Sequence, residues 1–265
     1  MCKLFALSGS LATTTTLSLE RLARRGSRAG HLGDGWGMGF YDGADVRLFR
    51  EPEEADQSAW VRFIGTQQIR SHLVMSHLRH ATQGEVSLRN TQPFARELGG
   101  RMHLFAHNGP LPDIEQRLGG RWRRFRRIGA TGSEVAFCLL LERLAALWVD
   151  GSPSPMDRLG VVARFAAELR ELGPANFLYS DGDLLFAHGH RRLQPDGSTA
   201  APGLHVLHRE CTIAPDDLAA AGVLVAAPQT IALVASVPLT REAWMPLAEG
   251  ETVALRHGAM VTRAT

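Results

Sequence analysis

The sequence predicts an α+β fold built on antiparallel sheets, and three observations carry that expectation. Short segments rich in β-branched and aromatic residues are joined by two-residue turns of the Asp-Gly type. Two longer stretches repeat apolar residues at helical spacing. The 265 residues are 45% hydrophobic and 21% charged, which is the composition of a soluble globular chain with enough apolar residues for a sizeable core.

Taken in order, Lys3–Ser8 reads as an apolar strand, and the threonine run Thr13–Thr16 as the start of a helix. Trp36–Tyr41 and Val46–Phe49 flank Asp42-Gly43, a dipeptide whose left-handed tolerance suits a tight hairpin. Leu73–Leu78 and Met102–His107 are further strands. Ser133–Trp148 is a helix: Thr131 followed three residues later by Glu134 is a capping box, and Val135, Ala136, Leu139, Leu140, Leu144 and Leu147 form one stripe. The Pro/Ser segment Gly151–Pro155 leads to a second helix, Asp157–Leu172, stopped by Gly173-Pro174. Phe177–Tyr179 and Leu184–Ala187 form a hairpin about Asp181-Gly182, and Gln194–Gly203 reads as an exposed loop. Leu204–Leu207 and Ile231–Val237 are strands, and His257-Gly258 is a last turn. Neither linker is long enough to demand a boundary, so one domain over 1–265 is expected.

Twenty-nine basic and 27 acidic residues leave a formal charge of +2, so no global positive field marks a nucleic-acid binder. Arg121-Trp-Arg-Arg-Phe-Arg-Arg127 reads as a solvated basic segment; binding of nucleic acid is not expected. Three unpaired cysteines, Cys2, Cys138 and Cys211, suggest neither a disulfide framework nor a zinc knuckle, and they fit a reducing cytoplasm. No signal or membrane-spanning segment is read. His77 and His80 lack carboxylate or thiolate neighbours at ligand spacing, so no metal is expected, and no cofactor motif is found: the glycines from Gly33 to Gly39 do not fit a dinucleotide or phosphate loop.

Three places carry chemistry. Once Met1 is removed, Cys2 holds a thiol and a free α-amine whose unperturbed pKa of about 7.7–8.0 lets it take the thiol proton near neutrality. Alone, Cys2 reads better as a small buried apolar residue at the start of a strand. Arg79 ends an apolar strand, with Thr82 in the turn after it; a guanidinium fork and a hydroxyl there suit a carboxylate, or equally a structural acid. Asn108-Gly109 follows another strand, where an amide and a backbone N–H could form an oxyanion hole, or simply an Asn-Gly turn.

Their order and wording resemble one family. Met1-Cys-Lys-Leu-Phe-Ala-Leu-Ser8, Asp34-Gly-Trp-Gly-Met-Gly39, His77-Leu-Arg-His-Ala-Thr-Gln-Gly84, Asn90-Thr-Gln-Pro-Phe94, Ala106-His-Asn-Gly109, Thr131-Gly-Ser-Glu134, Asn176–Gly182 and Ala235–Trp244 are similar to stand-alone class II glutamine amidotransferases of the YafJ-like group. The resemblance implies an N-terminal-nucleophile hydrolase fold, a four-layer αββα sandwich of two antiparallel sheets flanked by helices. It implies Cys2 as nucleophile of the mature chain, Asn108 and Gly109 at the oxyanion hole, and Arg79 with Thr82 on the substrate carboxylate. The small-molecule substrate would be glutamine or a γ-glutamyl-like amide, cleaved through a thioester, with an ammonia-accepting synthase as partner. Two departures stand out. Gly132 occupies the place of an aspartate that would meet the α-ammonium of glutamine, and Gln92 that of a histidine. The first points to another amide, or to a non-catalytic binding or regulatory protein that kept the fold.

Overall fold

The computed structural model describes residues 2–15, 33–80, 84–119, 124–149, 151–211 and 222–265. One sheet contains β1 (Lys3–Thr15), β2 (Gly35–Asp42), β3 (Asp45–Glu51), β4 (Arg70–Arg79), β11 (His205–Cys211), β12 (Val223–Leu224), β13 (Gln229–Ala235) and β14 (Met245–Pro246). Its order is β14-β11-β13-β1-β4-β2-β3, with β12 against the end of β1. The second sheet contains β5 (Phe94–Leu98), β6 (Arg101–Asn108), β7 (Asn176–Ser180), β8 (Leu185–His188), β15 (Thr252–Arg256) and β16 (Ala259–Ala264), in the order β16-β15-β8-β7-β6-β5. A small ribbon pairs β9 (Arg192–Leu193) with β10 (Thr199–Ala200). The helices are α1 (Ala59–Gln67), α2 (Ile114–Leu118), α3 (Gly132–Leu144) and α4 (Pro155–Arg170).

Strand alternation builds the layers. In β1, Leu4 and Ala6 face the second sheet, where they meet Leu104 and Ala106 of β6 and Leu178 of β7. Phe5 and Leu7 face the other way, into an apolar layer with Trp36, Met38 and Phe40 of β2 and with Val61 and Ile64 of α1. The second sheet is likewise apolar on both faces: Phe105, Phe177, Tyr179 and Phe186 pack against Val135, Leu139, Val162 and Phe165 of α3 and α4. Sheets apolar on both faces must be covered on both faces, and the result is the expected αββα stack.

The predicted hairpins form where the turns placed them. Gly43, Gly182 and Gly258 all adopt positive φ, and β2–β3, β7–β8 and β15–β16 are antiparallel neighbours. Three expectations need correction. Thr13–Thr15 prolong β1 rather than starting a helix, because their branched side chains suit a pleated strand that pairs with Val223 and Leu224; Thr16 lies outside the described residues. Within Gln194–Gly203, Thr199 and Ala200 form a strand that folds back on Arg192 and Leu193. The capping box at α3 is half made: the Thr131 hydroxyl accepts from the Glu134 N–H at 3.3 Å, but the Glu134 carboxylate turns to the backbone N–H groups of Ile128 and Gly129 and to Arg96. Among the described residues no helix is long and apolar enough to cross a membrane.

Candidate active site

Cys2 sits immediately before β1, and the register Lys3↔Leu78 brings it beside the end of β4. Its Sγ accepts from the His80 backbone N–H at 3.1 Å and donates to the His80 carbonyl at 3.3 Å. Burial pushes the thiol above its ordinary pKa, partly offset by that N–H and by the positive charge of Arg79. A thiol held protonated needs a base before it can attack anything.

The second sheet delivers its contribution from β6. Asn108, the last residue of that strand, donates through Nδ2 to the carbonyl oxygen of Cys2 at 2.8 Å, which ties the two sheets together at the thiol. Ser236, one residue past β13, locks the same point. Its hydroxyl accepts from the Leu4 N–H at 3.0 Å and lies 3.4 Å from Asn108 Nδ2, while its own N–H donates to the Leu4 carbonyl at 3.0 Å. Gly109 follows with φ +131°, and a Cβ there would lie 1.7 Å from the Pro174 carbonyl oxygen. Only glycine permits this close approach.

Arg79 ends β4 opposite Gly35, is 4% exposed, and donates through Nη2 to the Gly84 carbonyl at 3.2 Å. Gly132 opens α3 in helical conformation and leaves its place in the wall without a side chain; a Cβ there would stand 3.2 Å from the Leu111 carbonyl. Thr82 lies outside the described residues. Cys2, Arg79, Asn108, Gly109 and Gly132 all line one cavity of about 290 Å³.

Gln92, the second sequence departure, has a clear structural reason. Strand β5 stops at Phe94 opposite Phe105, and Pro93 has no N–H to continue the ladder. The Gln92 side chain supplies the missing pair instead: Oε1 accepts from the His107 N–H at 2.6 Å and Nε2 donates to the His107 carbonyl at 3.2 Å. The residue before Asn108 is thereby fixed. Gln92→Leu should strand two buried backbone groups and destabilise the fold by about 2–4 kcal/mol in urea unfolding; a loss below about 1 kcal/mol would show that the clamp contributes little.

Sequence reasoning did not single out several residues that shape the cavity. His107 Nδ1 lies 3.0 Å from Ser133 Oγ, and burial pushes its pKa down to about 3, so it is a neutral wall. Asn176, opposite Asn108 on β7, holds the β8–β9 connection through bonds to His190 N and Arg191 O. Arg191, from that connection, and Arg192, the first residue of β9, line the cavity. Asn176 and Ser236 lie in stretches that carried the family resemblance; the two arginines lie outside them, and nothing in sequence pattern marks them.

An αββα stack with a thiol before a central strand and an Asn-Gly pair at a facing strand end defines an N-terminal-nucleophile-type hydrolase architecture. Glutamine phosphoribosylpyrophosphate amidotransferase from Bacillus subtilis shares the fold, with a TM-score of 0.60 at 17% identity over 99% of this chain and 49% of that one. The chain belongs to the class II glutamine amidotransferases, whose family model matches residues 1–265. It is 37% identical over 188 residues to YafJ of Escherichia coli (strain K12), covering 71% of this chain and 72% of that protein. A crystal structure of a predicted glutamine amidotransferase from Pseudomonas aeruginosa PA01 superposes with a TM-score of 0.70 at 30% identity, covering 98% of this chain and all of that one.

Proposed function

We propose that the protein is an amidohydrolase that releases ammonia from glutamine or a γ-glutamyl-like amide, with Cys2 as its N-terminal nucleophile once Met1 is removed. The observation that supports this best is the meeting of the Cys2 thiol, the Asn108 amide and the Gly109 backbone at one cavity that also holds the Arg79 guanidinium.

In this reading the α-amine of Cys2 takes the thiol proton, and the sulfur attacks the carboxamide carbon. A C–S bond forms, and the oxyanion is met by the Asn108 amide and the Gly109 N–H. The proton passes from the amine to the leaving nitrogen, the C–N bond breaks, and ammonia departs from a thioester. Water, deprotonated by the same amine, then adds to the thioester carbon; the C–S bond breaks, the thiol regains its proton and the acid leaves. Arg79 holds the substrate carboxylate, aided by the Thr82 hydroxyl. Residues 1–265 act as one catalytic domain, and ammonia passes to a separate acceptor synthase.

Cys2→Ala should lower ammonia release by at least about a thousandfold, since it removes the group that forms the intermediate. Intact mass should show wild-type protein lacking Met1 and, during turnover, a thioester adduct on Cys2. Turnover surviving in the variant, or full activity in protein that retains Met1, would remove Cys2 from the mechanism.

A further inference from the structure

The charge of the cavity wall is one-sided. Arg79, Arg191 and Arg192 line it, and no Asp or Glu is among the described lining residues. Arg191 is exposed and paired with Glu249 at 2.6 Å, so its charge is already answered. Arg192 is different. It is half-buried on β9, its Nη1 donates to the Ser236 carbonyl at 2.8 Å, its Nε is buried without a hydrogen-bond partner, and no carboxylate pairs with it among the described residues. Burial lowers its pKa; burial also pushes the neighbouring Lys3 down to about 8, with the Arg192 charge adding to it. Holding a guanidinium this way costs free energy, and an anion brought into the cavity would offset it.

The helix end in the same wall has the same sign. Helix α3, of 13 residues, presents its N-cap Thr131 and its first residues Gly132 and Ser133 to the cavity, so its positive pole faces that space. Gly132 offers no carboxylate there, and Glu134 is spent on Arg96 and on the N–H groups of Ile128 and Gly129. Among the described lining residues no carboxylate answers the charge of a free ammonium beside this pole. A carbonyl or a second acid suits the pole.

We infer that the substrate is a carboxamide bearing two acidic groups and an uncharged α-nitrogen, one acid seated on Arg79 beside Cys2 and the other on Arg192. This rests on the amidohydrolase reading and narrows its substrate class from free glutamine to an N-acylated, dianionic relative. The cavity of about 290 Å³ belongs to a small molecule rather than to a folded partner.

Three probes separate the claims: L-glutamine, with one carboxylate and an ammonium; N-acetyl-L-glutamine, with one carboxylate and no ammonium; and N-succinyl-L-glutamine, with two carboxylates and no ammonium. Ammonia release, corrected for the Cys2→Ala background, should give kcat/KM highest for the succinyl amide, at least about tenfold above the acetyl amide, with glutamine lowest. Whatever Arg192→Met does to the common rate, the succinyl-to-acetyl ratio should fall to about one, and Arg192→Lys should keep part of it; a merely structural role would move both rates together. Equal rates for succinyl and acetyl amides, or an unchanged ratio in Arg192→Met, would overturn the second acidic subsite. Glutamine as the fastest substrate would overturn the whole inference while leaving the Cys2 amidohydrolase intact. No Cys2-dependent ammonia from any of the three would overturn the amidohydrolase reading itself.

Discussion

Gly109→Ala is expected to abolish detectable amide hydrolysis and to destabilise the protein by at least about 3 kcal/mol. The added methyl would be placed 1.7 Å from the carbonyl oxygen of Pro174 and 2.7 Å from its carbonyl carbon. Both are backbone atoms, so no rotamer change relieves the clash. The φ of +131° is itself a conformation that side-chain-bearing residues rarely adopt. Relief therefore requires the end of β6 to part from the segment that leads into β7, and that movement would carry Asn108 off the Cys2 carbonyl. Loss of one oxyanion donor commonly costs about 100- to 1000-fold in rate, and both proposed donors, the Asn108 amide and the Gly109 N–H, would move together. Gly132→Ala supplies the contrast: its Cβ would stand a tight 3.2 Å from the Leu111 carbonyl oxygen, so that a shift of only a few tenths of an ångström is needed, and its backbone is helical, so the loss of stability should be far smaller than at 109. Urea unfolding of both variants, with ammonia release measured alongside, decides the matter. An alanine at 109 with ordinary stability and turnover would show that this turn does not set the oxyanion geometry.

What could be foreseen in the chain follows from the range of the interactions involved. Strands with flanking turn residues declare themselves locally, so β2, β3, β7 and β8 were legible from Asp42-Gly43 and Asp181-Gly182. The helix α3 was legible from its apolar stripe and Thr131 cap, but Glu134 was misjudged because its real partners lie outside its own turn: Arg96 comes from β5. Thr13–Thr15 were misjudged for a related reason. Threonine suits a helix start or a strand, and only pairing with β12, some 210 residues on, decides it. Cys2, Arg79, Asn108 and Gly109 stand out in the sequence through motif wording, and the structure places all four along one cavity. Arg192 was not legible, since its place at the cavity, on which the proposed second subsite rests, depends on a two-residue ribbon folding it over Ser236. Gln92 was visible only as a departure; that it replaces a strand rung beside Asn108 could be learned only from the register of β5 on β6.

The second large effect concerns acid. His77, His103, His107 and His188 are buried, and burial pushes their pKa values down to about 3, 4, 3 and 3. In the unfolded chain each would titrate near 6.5. Between about pH 6.5 and pH 4 the unfolded state therefore binds protons that the native state refuses, and stability must fall as pH falls through that window; above about pH 6.5 neither state holds them and the contribution is flat. At pH 5 each histidine costs about 2 kcal/mol, so the four together approach about 8 kcal/mol, against a total stability of about 5–15 kcal/mol for a folded protein. Acid unfolding is thus expected with a midpoint between about pH 4 and 5.5, before most carboxylates titrate. Lowered carboxylates such as Asp183, held by Arg158 and Arg256, add their own loss only further down. His77 and His107 share strands with Arg79 and Asn108, so the site should fail together with the fold rather than by a separate titration. Urea unfolding at pH 7.5, 6.5, 5.5 and 5.0 measures the slope directly, and proton uptake on unfolding at pH 5.5 should exceed about two per chain. A slope near zero below pH 6.5, or a folded protein at pH 3.5, would mean that these rings are protonated in the native state, and that the neutral wall beside the thiol is not neutral.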